Sequence, residues 1–370
     1  MNIENIRVYL ADLEQRLDEE VEENLYRQWF DFTEKKVTSS YFDPARPIKR
    51  ASELAWEPMM LNDALASFDN MIYSQLQRCN DQLRDGGGEL LVYRSNYGTG
   101  ILPSLFGCEI KEMPYEQNSL PSPLPVDLET LRQLISDVKA GNKVIDVKSG
   151  IPGKCFEAAR YLKELLADYP KLNKYLYIYT PDTEGPCSIA EEIFGSELYC
   201  LFYEEEELVH DALDVITDVF IRFVKEWHKE FPPVDMEHAV DLGLLHRGRI
   251  LIREDSATNI SPEMYEEFIM AHDQEIFDAF GGGILHFCGK GDHLIPKFAQ
   301  LKGFNALNMS QPDWNNMEII YKNTIDMGTE IIGMPRFEIR RCSREGINLK
   351  GLVQAGISIS AWMGEPEDAE

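Results

Sequence analysis

From Ile3 to Lys36 the apolar residues Ile6, Leu10, Leu13, Leu17, Val21, Leu25 and Phe30 return every three or four positions with charged residues between them. That spacing predicts an amphipathic helical arm. Pro44 and Pro47 interrupt the pattern, and a second helical stretch over Leu61 to Arg84 stops at Gly86-Gly87-Gly88. After the glycines the period shortens. Apolar or β-branched runs at Glu89 to Tyr93, Lys143 to Val147, Tyr175 to Tyr179, Arg249 to Arg253, Thr329 to Gly333 and Leu352 to Ser360 predict strands. Pro114 to Pro125 reads as a surface loop. Helical spacing over Leu128 to Lys139, Cys155 to Asp168, Ile189 to Phe194 and Glu206 to Lys229 fills the gaps, the last with Val209, Leu213, Ile216, Phe220 and Phe223 on its apolar stripe. A further helix begins at Ser261-Pro262, with serine as cap and proline in the first turn, and runs to Phe280.

Strand and helix therefore alternate about eight times after the glycines, which matches a (β/α)8 barrel better than an open sheet. The expected organisation is a helical cap over residues 1–85 followed by an α/β barrel over residues 86–370. Gly281-Gly282-Gly283 precedes a strand instead of following one, so it does not form a dinucleotide-binding turn.

Charge narrows the function classes. The chain of 370 residues carries 36 basic and 64 acidic side chains, a formal charge of -28 that repels nucleic-acid phosphate and anionic lipid. Seven cysteines without tight spacing argue against a secreted disulfide framework. No long uncharged apolar run is present, and the first residues lack a basic segment followed by an apolar one. A cytoplasmic protein without nucleic-acid or membrane partners is expected.

The densest candidate chemistry lies between Gly281 and Gln311, read as strand, helix and strand. The first strand ends in His286-Phe287-Cys288-Gly289, and strand alternation sends His286 and Cys288 to the same side. Buried histidines and cysteines are common core residues. A strand that gives way to a glycine loop is, however, where β/α proteins place their chemistry. An imidazole nitrogen and a thiolate are suitable zinc ligands. The other strand ends bring Arg94 to Gly100, Asp182, Glu184, Glu254, Asp255 and Asn308 to Asp313. Arg94, Tyr97, Asn308 and Gln311 are the substrate-binding candidates, and Asp255 and Glu184 the catalytic carboxylates.

Glu254 to Tyr265 (EDSATNISPEMY), Leu285-His-Phe-Cys-Gly289, Gly303 to Asn308 (GFNALN) and Glu184 to Ala190 (EGPCSIA) together resemble the uroporphyrinogen decarboxylase superfamily over about Tyr175 to Pro335. The resemblance implies a (β/α)8 barrel and one of two activities, cofactor-free decarboxylation of a tetrapyrrole or zinc-dependent methyl transfer from a corrinoid protein to a thiol. The His-x-Cys-Gly segment is similar to the methyltransferase branch, in which this His and Cys bind zinc and a second Cys comes from the last strand. Here Leu352 to Trp362 contains no cysteine. Cys342 is one replacement. Asp313 is another, by similarity to the zinc site of cobalamin-independent methionine synthases, which adds a carboxylate about one β/α unit after the Cys. The arginine-rich signature of the decarboxylases is not recognisable. The expectation is a zinc-dependent methyltransferase partnered by a corrinoid protein, with a lyase acting on a carboxylate and a non-catalytic corrinoid-binding barrel as alternatives.

Overall fold

The computed structural model describes residues 3–356, and their contacts divide the chain into two compact units. Among the described residues, the first contains 3–25, 45–184 and 189–233 and the second 26–44, 185–188 and 234–356, so the segment up to residue 85 is shared between them. Both units are mixed helix and parallel strand, an α/β architecture.

In the first unit, strand β1 (Leu91–Tyr93) pairs in parallel with β4 (Leu176–Ile178), while β2 (Glu109–Lys111) and β3 (Ser122–Leu124) form an antiparallel pair. The long helix Glu206–Glu230 buries Val209, Leu213, Ile216, Phe220 and Phe223, the stripe its spacing predicts. Trp227 on that helix packs on Phe156 of helix Gly150–Leu166 at 5.0 Å between ring centroids. Arg46 is fixed by both carboxylate oxygens of Glu22, each at 2.7 Å, and donates to the Gly87 and Glu89 carbonyls at 2.6 and 2.9 Å, so this buried ion pair also satisfies backbone acceptors.

Three sequence expectations are corrected here. The helical arm is two helices, Ile6–Arg16 and Glu19–Thr33, because Leu17 is extended and the Asp18 carboxylate caps the second by accepting from the Glu20 and Val21 amides. Lys143 to Val147 is not a strand. Arg222 takes the Ile145 carbonyl at 2.9 Å and Asp146 turns the chain through the Lys148 amide, so no strand partner is needed. The presumed loop Pro114 to Pro125 contains β3, whose Pro123 is tolerated because the pair has only edges.

The second unit is built on a five-stranded parallel sheet in sequential order: β7 (Ile250–Arg253), β8 (Gly283–Phe287), β9 (Phe304–Met309), β10 (Glu330–Pro335) and β11 (Val353–Gly356). Ahead of it lies a hairpin of β5 (His238–Asp241) and β6 (Leu244–Arg247). Its turn residues Leu242 and Gly243 both have positive φ, 57° and 83°, a geometry that the Leu-Gly sequence does not advertise. The expected helix from Ser261 is present, capped by the Ser261 hydroxyl, but widens into a π turn over Tyr265–Ile269 before resuming at Met270–Phe280. Residues 357–360 of the expected last strand lie outside the described residues, as does the segment to Trp362. No helix among the described residues is long and apolar enough to cross a membrane.

The register sets the site. Arg253, His286 and Asn308 are side by side on β7, β8 and β9. Gly283 permits this approach, since a Cβ there would stand 1.9 Å from the Ile250 carbonyl oxygen.

At the opposite end of β10, Glu330 is buried with one carboxylate oxygen unpartnered. Burial pushes its pKa up to about 8, opposed by Lys35 and Arg247 and reinforced by Glu34. Because the folded value lies above the unfolded one, stability is fully present below about pH 4.5 and is lost as pH rises toward 8. Glu330→Gln cannot ionise. Chemical denaturation should therefore find it more stable than the parent by on the order of 2–4 kcal/mol at pH 8.5, with little difference at pH 4.5.

Candidate metal centre

Three loops leave the aligned ends of β7, β8 and β9, carrying Asp255, Cys288 and Ser310 respectively. His286 is still on β8, its ring buried, while Cys288 is half-buried and the Asp255 side chain is 40% exposed. The imidazole Nε2 lies 3.4 Å from Cys288 Sγ and 3.6 Å from Asp255 Oδ1. The ligating atoms of these three residues all fall within 4.8 Å of one another.

The histidine tautomer follows from the next strand. Asn308 Nδ2 donates to the Ile332 carbonyl at 2.7 Å, so its Oδ1 faces His286 Nδ1 at 2.6 Å. A carbonyl oxygen only accepts, hence Nδ1 carries a proton, and in the neutral imidazole the lone pair is on Nε2, the nitrogen beside the Cys288 thiol and the Asp255 carboxylate. Gly333 makes room for this amide: its φ is +73° and a Cβ would be 2.6 Å from Asn308 Nδ2.

The backbone of the Cys288 loop is held as tightly. Asp255 Oδ1 accepts the Cys288 amide at 2.5 Å and Gln311 Oε1 accepts the Gly289 amide at 2.7 Å. Asn315 accepts from the Gly291 and Asp292 amides and donates to the Gly289 and Gln311 carbonyls. Ser310 Oγ stands 3.2 Å from Cys288 Sγ, where its hydroxyl can donate to a thiolate.

A tetrahedral zinc ion with bonds of about 2.0–2.3 Å keeps its ligand atoms about 3.3–3.6 Å apart. The two distances around His286 Nε2 already have that size. The donors are one nitrogen, one sulfur and one oxygen, and a catalytic zinc site uses three protein ligands with one position open. The residues fit the metal.

Behind this group, Glu254 is fully buried and accepts the Cys187 amide at 3.2 Å. Asp273 is fully buried too, and burial pushes its carboxyl up to about 7 against hydrogen bonds from Tyr265, at 2.7 Å, and Glu254. Glu254 therefore anchors the strand end.

The structure distributes the remaining sequence candidates differently. Asp255, named for catalysis, stands with His286 and Cys288. Asp313 is exposed on the turn Pro312–Trp314. Cys342 is buried on helix Arg336–Glu345, its sulfur 3.2 Å from the Tyr321 hydroxyl and 3.6 Å from Glu338. Neither belongs to the ligand group. Asn308 and Gln311, named for substrate, orient His286 and the Gly289 amide instead. Ser310 was missed, although its spacing of two from Asn308 places both on one side of the strand path. His293 bonds the Ile260 carbonyl at 3.0 Å, a structural role.

Arg94, Tyr97 and Glu184 belong to the first unit. Arg94 pairs with Asp182 at 2.8 Å, both buried. Tyr97 is half-buried, and burial raises its phenol. Glu184 is buried in a left-handed conformation, φ 57°. Helix Pro186–Phe194 adds Glu192, which accepts from the Thr99 hydroxyl. Burial pushes Glu192 up to about 7, with Asp182 and Glu191 adding to the effect and Thr99 opposing it.

Among solved structures, the chain is similar to a methyltransferase from Methanosarcina mazei, with a TM-score of 0.62 and 17% sequence identity over 90% of this chain and 93% of that one. At that identity the likeness is one of fold. No protein-family model and no curated protein sequence matches the chain.

Removing the amide that fixes the imidazole should loosen metal binding without removing a ligand. Asn308→Ala and Gly333→Ala should each lower zinc affinity about 10–100-fold in a chelator-competition titration. A Gly333→Ala affinity equal to the parent's would show that Asn308 does not set the tautomer.

Proposed function

We propose that this chain is a (β/α)8 methyltransferase that moves a methyl group between a corrinoid-carrying partner protein and a thiol, with zinc held by His286, Cys288 and Asp255. The observation that carries the reading is the His286–Cys288–Asp255 group at the aligned ends of β7 and β8, with Nδ1 engaged by Asn308 and Nε2 turned to the other two side chains. The fold likeness to a methyltransferase along nearly the whole chain supports it, as do the parallel strands and intervening helices.

The chemistry that zinc supplies when bound is to lower the pKa of a thiol occupying its open position, so that the thiol is a nucleophile at neutral pH. The protein residues prepare that position. Asn308 commits the neutral His286 ring to the Nδ1–H tautomer, which leaves Nε2 as the nitrogen that binds a metal. Asp255 serves twice, as an oxygen donor and as the acceptor that fixes the Cys288 amide and hence the direction of Sγ. The Ser310 hydroxyl beside Sγ tempers the charge on that sulfur. In this reading Asp255 takes the place of the missing second cysteine of the methyltransferase pattern. Arg94 faces Asp182, so it is not available to grip a substrate carboxylate as a decarboxylase would require.

The test uses methylcobalamin as methyl donor and dithiothreitol as acceptor, with metal content measured on the same preparations. The parent should carry about one zinc per chain and consume methylcobalamin, and His286→Ala and Cys288→Ala should lose zinc and at least about 100-fold in rate with unchanged circular dichroism. Equal rates from metal-stripped and zinc-loaded protein would overturn the proposal.

A further inference from the structure

The first unit holds a second polar cluster with a different chemistry. Because β1 and β4 pair in parallel with Tyr93 opposite Ile178, the loops 94–99 and 179–184 leave the same end of the two strands. Arg94 and Asp182 join them through a buried ion pair, and Thr99 reaches Glu192 on helix Pro186–Phe194. Asp182 lies close enough to Glu192 for its charge to act on that carboxyl. The three segments therefore share one electrostatic environment.

Within it, Asn96 Oδ1, Thr183 Oγ1 and Glu192 Oε2 are shielded from solvent and have no hydrogen-bond partner. Asn96 and Thr183 are themselves buried, 6% and 0% exposed. An unmet buried polar atom costs about 1–3 kcal/mol, so three in segments joined by the Arg94–Asp182 and Thr99–Glu192 contacts call for partners. Their kind specifies it. All three are oxygens able to accept, and no unpartnered nitrogen lies in these segments among the described residues. Acidic groups predominate too: Asp182, Glu184 and Glu192 against Arg94. A primary ammonium has one positive charge and three N–H donors and no acceptor.

We propose that Asn96, Thr183 and Glu192 form a binding site for the primary ammonium group of a small ligand. The charge of that group favours the ionised form of Glu192, and its three hydrogens match the three oxygens in number. An ordered water is the competing occupant of such a position, since it too satisfies two to four polar groups. This inference is independent of the zinc reading, because it concerns binding by the first unit's own residues and needs neither metal nor turnover.

Isothermal titration of the full chain with methylammonium, against tetramethylammonium and acetate at equal ionic strength, tests it. Methylammonium should bind with a dissociation constant of about 1 mM or below, and tetramethylammonium, equally charged but without N–H donors, at least about 10-fold more weakly. Glu192→Gln and the nearly isosteric Thr183→Val should each weaken methylammonium at least about 10-fold, with melting curves confirming that both variants fold. If one variant does not fold, the other and the tetramethylammonium comparison decide. Equal binding of the two cations would reduce the effect to attraction by an acidic surface and overturn the proposal. So would a crystal structure grown with methylammonium that shows only water between these oxygens.

Discussion

The hydrogen bond between His286 Nδ1 and Asn308 Oδ1 is the constraint on which the candidate metal centre depends. It exists because β8 and β9 pair in a register that sets the two residues side by side, and because Asn308 is itself oriented by the Ile332 carbonyl of the next strand. Three neighbouring strands thus decide which imidazole nitrogen carries a proton. Without that decision, His286, Cys288 and Asp255 would be three polar side chains near one another. With it, they present lone pairs toward a common point.

The same sheet explains how a site can be precise on loops. Asp255 and Cys288 lie just beyond strand ends, where backbone freedom would blur their positions. The Asp255 carboxylate on the Cys288 amide, Gln311 on Gly289 and Asn315 on four backbone groups remove that freedom. Gly283 and Gly333 contribute by the absence of a side chain, one letting β8 lie against β7, the other leaving space for the Asn308 amide.

Much of this was legible in the sequence, for identifiable reasons. Strong periodicity located the helix Glu206–Glu230 and its buried stripe, and alternation along β8 placed His286 and Cys288 on one side. Turn chemistry was less visible: Leu242 at positive φ hides a hairpin, and Arg222 and Asp146 hold Lys143 to Val147 away from any sheet. The third member of the candidate group escaped a linear reading because such geometry is set across strands. Asp255 is 31 residues from His286 along the chain, yet the β7 to β8 register brings it within 3.6 Å, while Cys342, chemically the more obvious candidate, is buried beside Tyr321. The ammonium-type cluster was legible only in part, since Arg94 and Asp182 stand at predicted strand ends but Glu192 reads as an ordinary helix residue.

X-ray absorption at the zinc edge of the full chain addresses the central claim most directly, because it counts sulfur ligands. A site built from His286, Cys288 and Asp255 predicts a single sulfur at about 2.3 Å with nitrogen and oxygen scatterers at about 2.0–2.2 Å, and loss of the sulfur shell in Cys288→Ser. Two or more sulfur ligands, or a spectrum unchanged by Cys288→Ser, would contradict the account.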